Sequence, residues 1–142
     1  MTYYQQKGRE YLDQVIDLEI RIKMLRYRLE EIFTEAEGLG VNLRERVQTS
    51  PTPDAMANAV VRLIKEQERT ADAITECREL KQAIEDTIRA LDDARYKDLL
   101  FSKYIEHKRL QVIADEMHYS LDHIKRLHRN ALDELGRMLR DV

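Results

Sequence analysis

The sequence predicts an all-α protein: an N-terminal pair of long helices, as a hairpin or coiled coil, then a C-terminal helix-turn-helix. Three observations carry this. The 142 residues include 24 Lys+Arg and 27 Asp+Glu, so 36% are charged, with only 4 Gly and 2 Pro. Soluble domains average about 25% charged residues and about 12% Gly plus Pro. Sheet folds need turn residues at short intervals, whereas long helices do not. The second observation is a sustained heptad seam near the N-terminus, and the third is a change to short helical blocks after residue 93. The 43% hydrophobic content is periodic, which argues against disorder.

The first helix is predicted over Arg9–Ala36. Tyr11, Val15, Leu18, Ile22, Leu25, Leu29, Ile32 and Ala36 alternate in steps of four and three, the repeat of a helix that meets a long helical partner. Glu19/Lys23 and Asp17/Arg21 stand four apart in the favourable acid-first order. Gly38 and Gly40 stop this helix, and a connector over 38–53 ends in Ser50-Pro51-Thr52-Pro53. Leu39–Leu43 is expected to pack back as a small lid.

A second helix starts near Asp54, capped by Thr52 or Asp54. It either runs to about Arg95 or breaks in the polar stretch Glu66–Thr70. Its seam reads Val60, Leu63, Gln67, Thr70, Ile74, Cys77, Lys81, Ile84, Ile88 and Leu91. The Ile84–Leu91 end is expected to pack on the C-terminal region. The first seam fits both an intramolecular hairpin, which is preferred, and a homodimer. Residues 1–93 thus form one coiled-coil region and 94–142 another domain, with three short helices followed by a longer one.

Within 94–142 the spacing is specific. Leu110, Ile113, Ala114 and Met117 share one face of a two-turn helix. His118-Tyr119 follow, and Ser120 is the expected N-cap of a helix carrying Leu121, Ile124, Leu127, Ala131, Leu135 and Leu139. This is the pattern of a helix-turn-helix. Ala114 is small where the helices cross, and Tyr119 or Leu127 fills the wedge between them.

Leu100–Leu135 resembles region 4 of RNA polymerase sigma factors. Lys103-Tyr104, Ile113-Ala114, Ser120, Ile124, Ala131 and Leu135 match that family in order and spacing. The chain also resembles phage and prophage late-gene activators of the RinA and ArpU groups. The resemblance implies a transcription regulator that binds double-stranded DNA, with contact to RNA polymerase. It departs at His118, where Gly is usual, and at Leu121-Asp122-His123, which is less basic than in many relatives. Nothing resembles the aromatic melting segment of sigma region 2, so a complete sigma factor is not expected.

On the second motif helix, Leu121, Asp122, His123, Lys125, Arg126 and Arg129 point away from the apolar face. Arg126 is the candidate for bidentate contact with guanine, and Lys125 and Arg129 for phosphates. Asp122 either accepts from a cytosine amino group or stabilises the helix N-terminus. Ser120 presents the first-turn N–H groups to a phosphate. Lys108 and Arg109 occupy the turn where sigma-like domains approach the backbone.

Other functions find little support. The N-terminus has no apolar h-region and the longest apolar runs are three residues, so neither a secretory signal nor a membrane span is expected. A cytoplasmic protein follows. His118, His123 and His128 are five apart and do not share a helix face, so no metal is expected. No cofactor, small-molecule substrate or catalytic set is expected either. The net charge of −3 conceals a division. Residues 1–93 hold 14 basic and 19 acidic side chains, whereas 94–142 hold 10 and 8.

Overall fold

The computed structural model describes residues 1–44 and 54–140. It is all-α: five helices and no strand among those residues, namely α1 (Tyr3–Gly38), α2 (Asp54–Arg89), α3 (Ala94–Leu100), α4 (Leu110–Met117) and α5 (Leu121–Arg140). A π-helical turn, Phe101–Ile105, continues α3. Two short helices therefore precede the long one, not three. No described helix is long and apolar enough to cross a membrane. Thr52, the alternative cap of α2, lies outside the described residues, as does most of the connector.

The chain forms two compact units, one combining 1–18 with 80–142 and the other spanning 19–79. These do not coincide with the expected division at residue 93. Both α1 and α2 contribute to each unit.

In the unit of 19–79, Ile32 and Ala36 of α1 pack with Leu63 of α2, and Val41 and Leu43 fold back onto them. The lid forms because Gly40 turns left-handed at φ 80°. That conformation lets the Val41 N–H reach the Ala36 carbonyl at 2.9 Å and the Gly40 N–H reach Glu37 at 2.9 Å. This pair of hydrogen bonds is the usual way a helix end satisfies its last carbonyls. Arg44 then ties the lid to Glu30 and Glu37 at 2.6 and 2.9 Å. Arg28 bonds Glu66 at 2.7 Å. The polar seam residues do not break α2. The Thr70 hydroxyl bonds the Glu66 carbonyl at 2.8 Å, so its burial leaves nothing unsatisfied.

The other unit explains where the helices begin and end. Thr2 and Gln5 cap α1 reciprocally: the Gln5 N–H donates to Thr2 Oγ1 at 3.2 Å and the Thr2 N–H to Gln5 Oε1 at 3.1 Å. The helix consequently starts six residues before the expected Arg9. At the far end α2 stops at Arg89, short of Arg95, because Asp93 caps α3 by accepting from the Arg95 N–H at 2.9 Å. Ile84, Ile88 and Leu91 pack with Leu100, Tyr104, Leu132 and Leu135, as expected, and also with Leu12 and Val15 of α1. A second cluster joins Leu99, Ile113, Ala114, Ile124 and Leu127, with Tyr119 partly buried against it.

The first turns of α1 lie on α5 with almost no side chain between the backbones. A Cβ at Gly8 would sit 2.5 Å from the Leu132 carbonyl oxygen, and one at Gly136 would fall on the Tyr4 carbonyl. Tyr4 thus faces Gly136 while Gly8 faces Leu132, so the two helices run antiparallel. Leu12, one turn further along the same face, is buried although it lies outside the predicted seam. Thr2 Oγ1 to Asp133 (3.5 Å) and Arg137 over the Tyr4 ring (4.6 Å) flank the crossing.

Gly136→Ala should therefore cost at least about 2 kcal/mol, the scale of overpacking against a fixed backbone. Gly38→Ala meets nothing within 4 Å and serves as the control. Thermal unfolding followed by circular dichroism checks this. Equal midpoints for the two variants would refute the close crossing.

Candidate nucleic-acid interface

The joint between α4 and α5 is built from local backbone chemistry. His118 adopts the left-handed conformation (φ 60°, ψ 39°) and ends α4. The Tyr119 N–H reaches the Ala114 carbonyl at 2.9 Å and the His118 N–H reaches Asp115 at 3.3 Å. The same closure stands after α1, with His in the position that Gly40 holds there. Ser120 begins α5: its Oγ accepts from the His123 N–H at 3.1 Å, and its carbonyl from Ile124 at 3.0 Å. Ile124 and Leu127 point into the cluster with Ile113, Ala114 and Leu99.

With that face fixed, the helical rotation of about 100° per residue turns Lys125, Arg129, Asp122 and Arg126 outward within one arc. All four are exposed. Among the described residues, none of the three cations has a carboxylate partner. Asp122 occupies the first turn, where a negative charge suits the helix dipole. Leu121 is half-buried. His123 is also half-buried, stacked on Tyr119 with centroids 4.5 Å apart and planes 8° from parallel. Its ring packs the joint.

Lys108 and Arg109 differ as well. Lys108 is held by Glu116 at 3.1 Å and lies 3.8 Å from Glu106. The Glu116 hydrogen bond raises its pKa above the ordinary lysine value, with Glu106 adding to the effect. It fastens the turn to α4. Arg109 is exposed at the start of α4, where its carbonyl accepts from the Ile113 N–H. The preceding His107 is left-handed too, with φ 58°.

Beside α5 lies a cleft of about 370 Å³. Lys125 and Arg129 line it from α5, Lys103 and Tyr104 from the π-helical turn, and Arg9 and Asp13 from α1. His128 forms part of the wall, with Nε2 2.8 Å from the Tyr104 hydroxyl. Burial, followed by Lys103, Arg9 and Arg129, pushes its pKa down to about 4. Burial and the Asp13 charge push the Tyr104 hydroxyl up. Both groups are therefore neutral near pH 7.

Sequence reasoning singled out Lys125 and Arg129 but missed Arg9 and His128. In the sequence, Lys103-Tyr104 stands out only as a pair that matches the sigma-region-4 pattern. Nothing in the sequence near Arg9 points to α5, since their proximity depends on the two glycines. His128 stands four residues after Ile124, close to the apolar side, and that spacing was a usable signal of burial. Among the described residues, no three His, Cys, Asp or Glu side chains are grouped to hold a metal ion. Comparison with protein-family models, with curated proteins and with solved structures returns no match.

A histidine whose folded pKa is lowered holds fewer protons folded than unfolded. Its contribution is complete above the unfolded value near 6.5 and is lost as pH falls towards about 4. Stability should drop by about 1–3 kcal/mol across that window, and His128→Gln should flatten the drop in urea titrations at pH 7 and pH 4.5. An unchanged slope in the variant would contradict the buried neutral ring. At the joint, His118→Gly should keep or slightly raise stability, whereas His118→Val should lower it by about 1–2 kcal/mol. Thermal midpoints in the opposite order would dismiss the left-handed turn.

Proposed function

We propose that the chain is a sequence-specific regulator of transcription that binds double-stranded DNA. In this reading α4 and α5 are a helix-turn-helix of the sigma-region-4 type, and α5 enters the major groove. The single observation that carries it is the exposed arc of Lys125, Arg126 and Arg129 on a helix anchored by a capped, tightly closed joint. Arg126 reads guanine, Lys125 and Arg129 grip phosphates, and Asp122 supports the helix start. In this reading α1 and α2 form a helical hairpin.

The resemblance to RinA- and ArpU-like phage activators supplies the class: late-gene regulation through positioning at a promoter, with RNA polymerase as a further partner. The local excess of positive charge is small. A lone domain then binds modestly and with strong salt dependence, which favours a second copy or polymerase as co-anchor.

A second reading is an interaction protein whose long helices are the working surface and whose helix-turn-helix meets protein. Ile20, Met24 and Tyr27 favour it, being 52%, 67% and 73% exposed on one side of α1. Titration of promoter DNA by fluorescence anisotropy separates the two. The regulator reading expects Arg126→Ala to relax base preference by about 1–3 kcal/mol and Lys125→Ala to weaken all sequences alike. Negligible effects from both, with binding that stays weak and sequence-blind at ~50 mM salt, would leave the interaction protein.

A further inference from the structure

The cleft beside α5 has more positive charge than the fold requires. Four cations line it, Arg9, Lys103, Lys125 and Arg129, against one carboxylate, Asp13. Asp13 is 3.8 Å from Arg9, and both side chains are more than half exposed. Such an exposed pair contributes little energy, and with one carboxylate against four cationic side chains the lining keeps a positive excess. Lys103 leans on the Tyr104 ring at 5.6 Å. Among the described residues, no carboxylate pairs with Lys103, Lys125 or Arg129. Elsewhere Arg28, Arg44, Arg89 and Arg95 each pair with a carboxylate.

Three separate segments supply these cations: the start of α1, the π-helical turn and the middle of α5. Their convergence is enforced by backbone geometry, since the glycine crossing lays Arg9 alongside α5. The wall adds two hydrogen-bonding groups, the Tyr104 hydroxyl and the His128 ring. A concave site lined by one sign of charge focuses potential and collects counter-ions. Guanidinium groups and lysine ammoniums are the side chains that bind phosphate.

We infer that this cleft is a phosphate socket in which Arg9 and Lys103 join Lys125 and Arg129 around one phosphate group. Two sources share that chemistry, a phosphodiester of bound duplex and a free phosphate ion. The free-ion case stands without the DNA reading, and only the duplex case rests on it. The socket extends the anion-binding surface beyond the α4–α5 joint and gives the first turns of α1 a binding role.

A bound anion would favour the protonated form of His128. The charged and titratable side chains that line the cleft with this ring are Arg9 and Asp13 from α1, Lys103 and Tyr104 from the turn, and Lys125 and Arg129 on its own helix, and Met1 with its amino group lies on the same lining. Occupancy should therefore raise the His128 pKa, and phosphate should bind more tightly as pH falls through that value.

The test is an NMR titration of the His128 ring signal in the full chain. It uses sodium phosphate, with sodium chloride at matched ionic strength as control, and in a second arm a short duplex. Phosphate should saturate the shift and raise the His128 pKa, which chloride should not. Arg9→Gln, at an exposed position, should weaken phosphate at least about tenfold while leaving the circular dichroism spectrum unchanged. Arg129→Gln should act likewise. If the duplex produces the same shift and Arg9→Gln reduces it, the occupant is a DNA phosphate. A response to phosphate alone assigns the socket to the free ion and leaves the DNA reading to its own test. No saturable shift in either arm, or one that Arg9→Gln leaves untouched, overturns the socket.

Discussion

The close approach of α1 to α5 at Gly8 and Gly136 constrains everything around it. Two helix backbones meet where a Cβ on either glycine would collide with a carbonyl of the other helix. Ordinary helix pairs stand 8–10 Å apart with side chains interleaved. Here the missing side chains let the first turns of α1 lie flat on α5. Leu12 and Val15 then reach the same cluster as Leu132 and Leu135. The N-terminal turns therefore belong to the unit that holds the α4–α5 joint, although more than a hundred residues separate them in sequence.

Electrostatics follows from that packing. The ion pairs of Arg28, Arg44 and Arg89 lie at the exposed surface, where water screens them and their contribution is small. The cleft beside α5 is different because, among the described residues, Lys103, Lys125 and Arg129 lack carboxylate partners, and its wall contains a buried hydroxyl and a half-buried imidazole. Cationic neighbours and burial act on His128 in the same direction, towards the neutral ring. A site arranged in this way loses stability in acid and gains from any anion that enters it. The proposed DNA contact and the proposed phosphate socket both draw on this local excess, within a chain whose net charge is −3.

Much of the architecture was legible because it rests on local rules. The seam predicted for the second helix is buried at Leu63, Thr70, Ile74, Cys77, Ile84 and Ile88, and at Leu91 just past the end of α2. Ser120 caps α5, Gly40 closes α1, and Leu39–Leu43 folds back as a lid. The Thr2–Gln5 capping pair has the spacing of a capping box in the sequence, whereas the heptad begins only at Tyr11. What was illegible is long-range. A heptad identifies one face of α1 and is silent about the second, on which Tyr4, Gly8 and Leu12 meet α5. For the same reason Arg9 could not be placed with Lys125 and Arg129. Lys108 was misleading in another way. A lysine in a turn reads as a solvated cation until Glu116, eight residues on, is brought beside it by α4.

Amide hydrogen exchange in the absence and presence of duplex DNA is the most direct test of the claim that the start of α1 and α5 act as one unit bearing the interface. The account predicts that amides of residues 8–15 and 128–136 open with a common free energy, and that duplex raises both by the same increment. If residues 8–15 exchanged independently and duplex protected only α5, the glycine crossing would not couple the two helices. The account would then be contradicted at its centre.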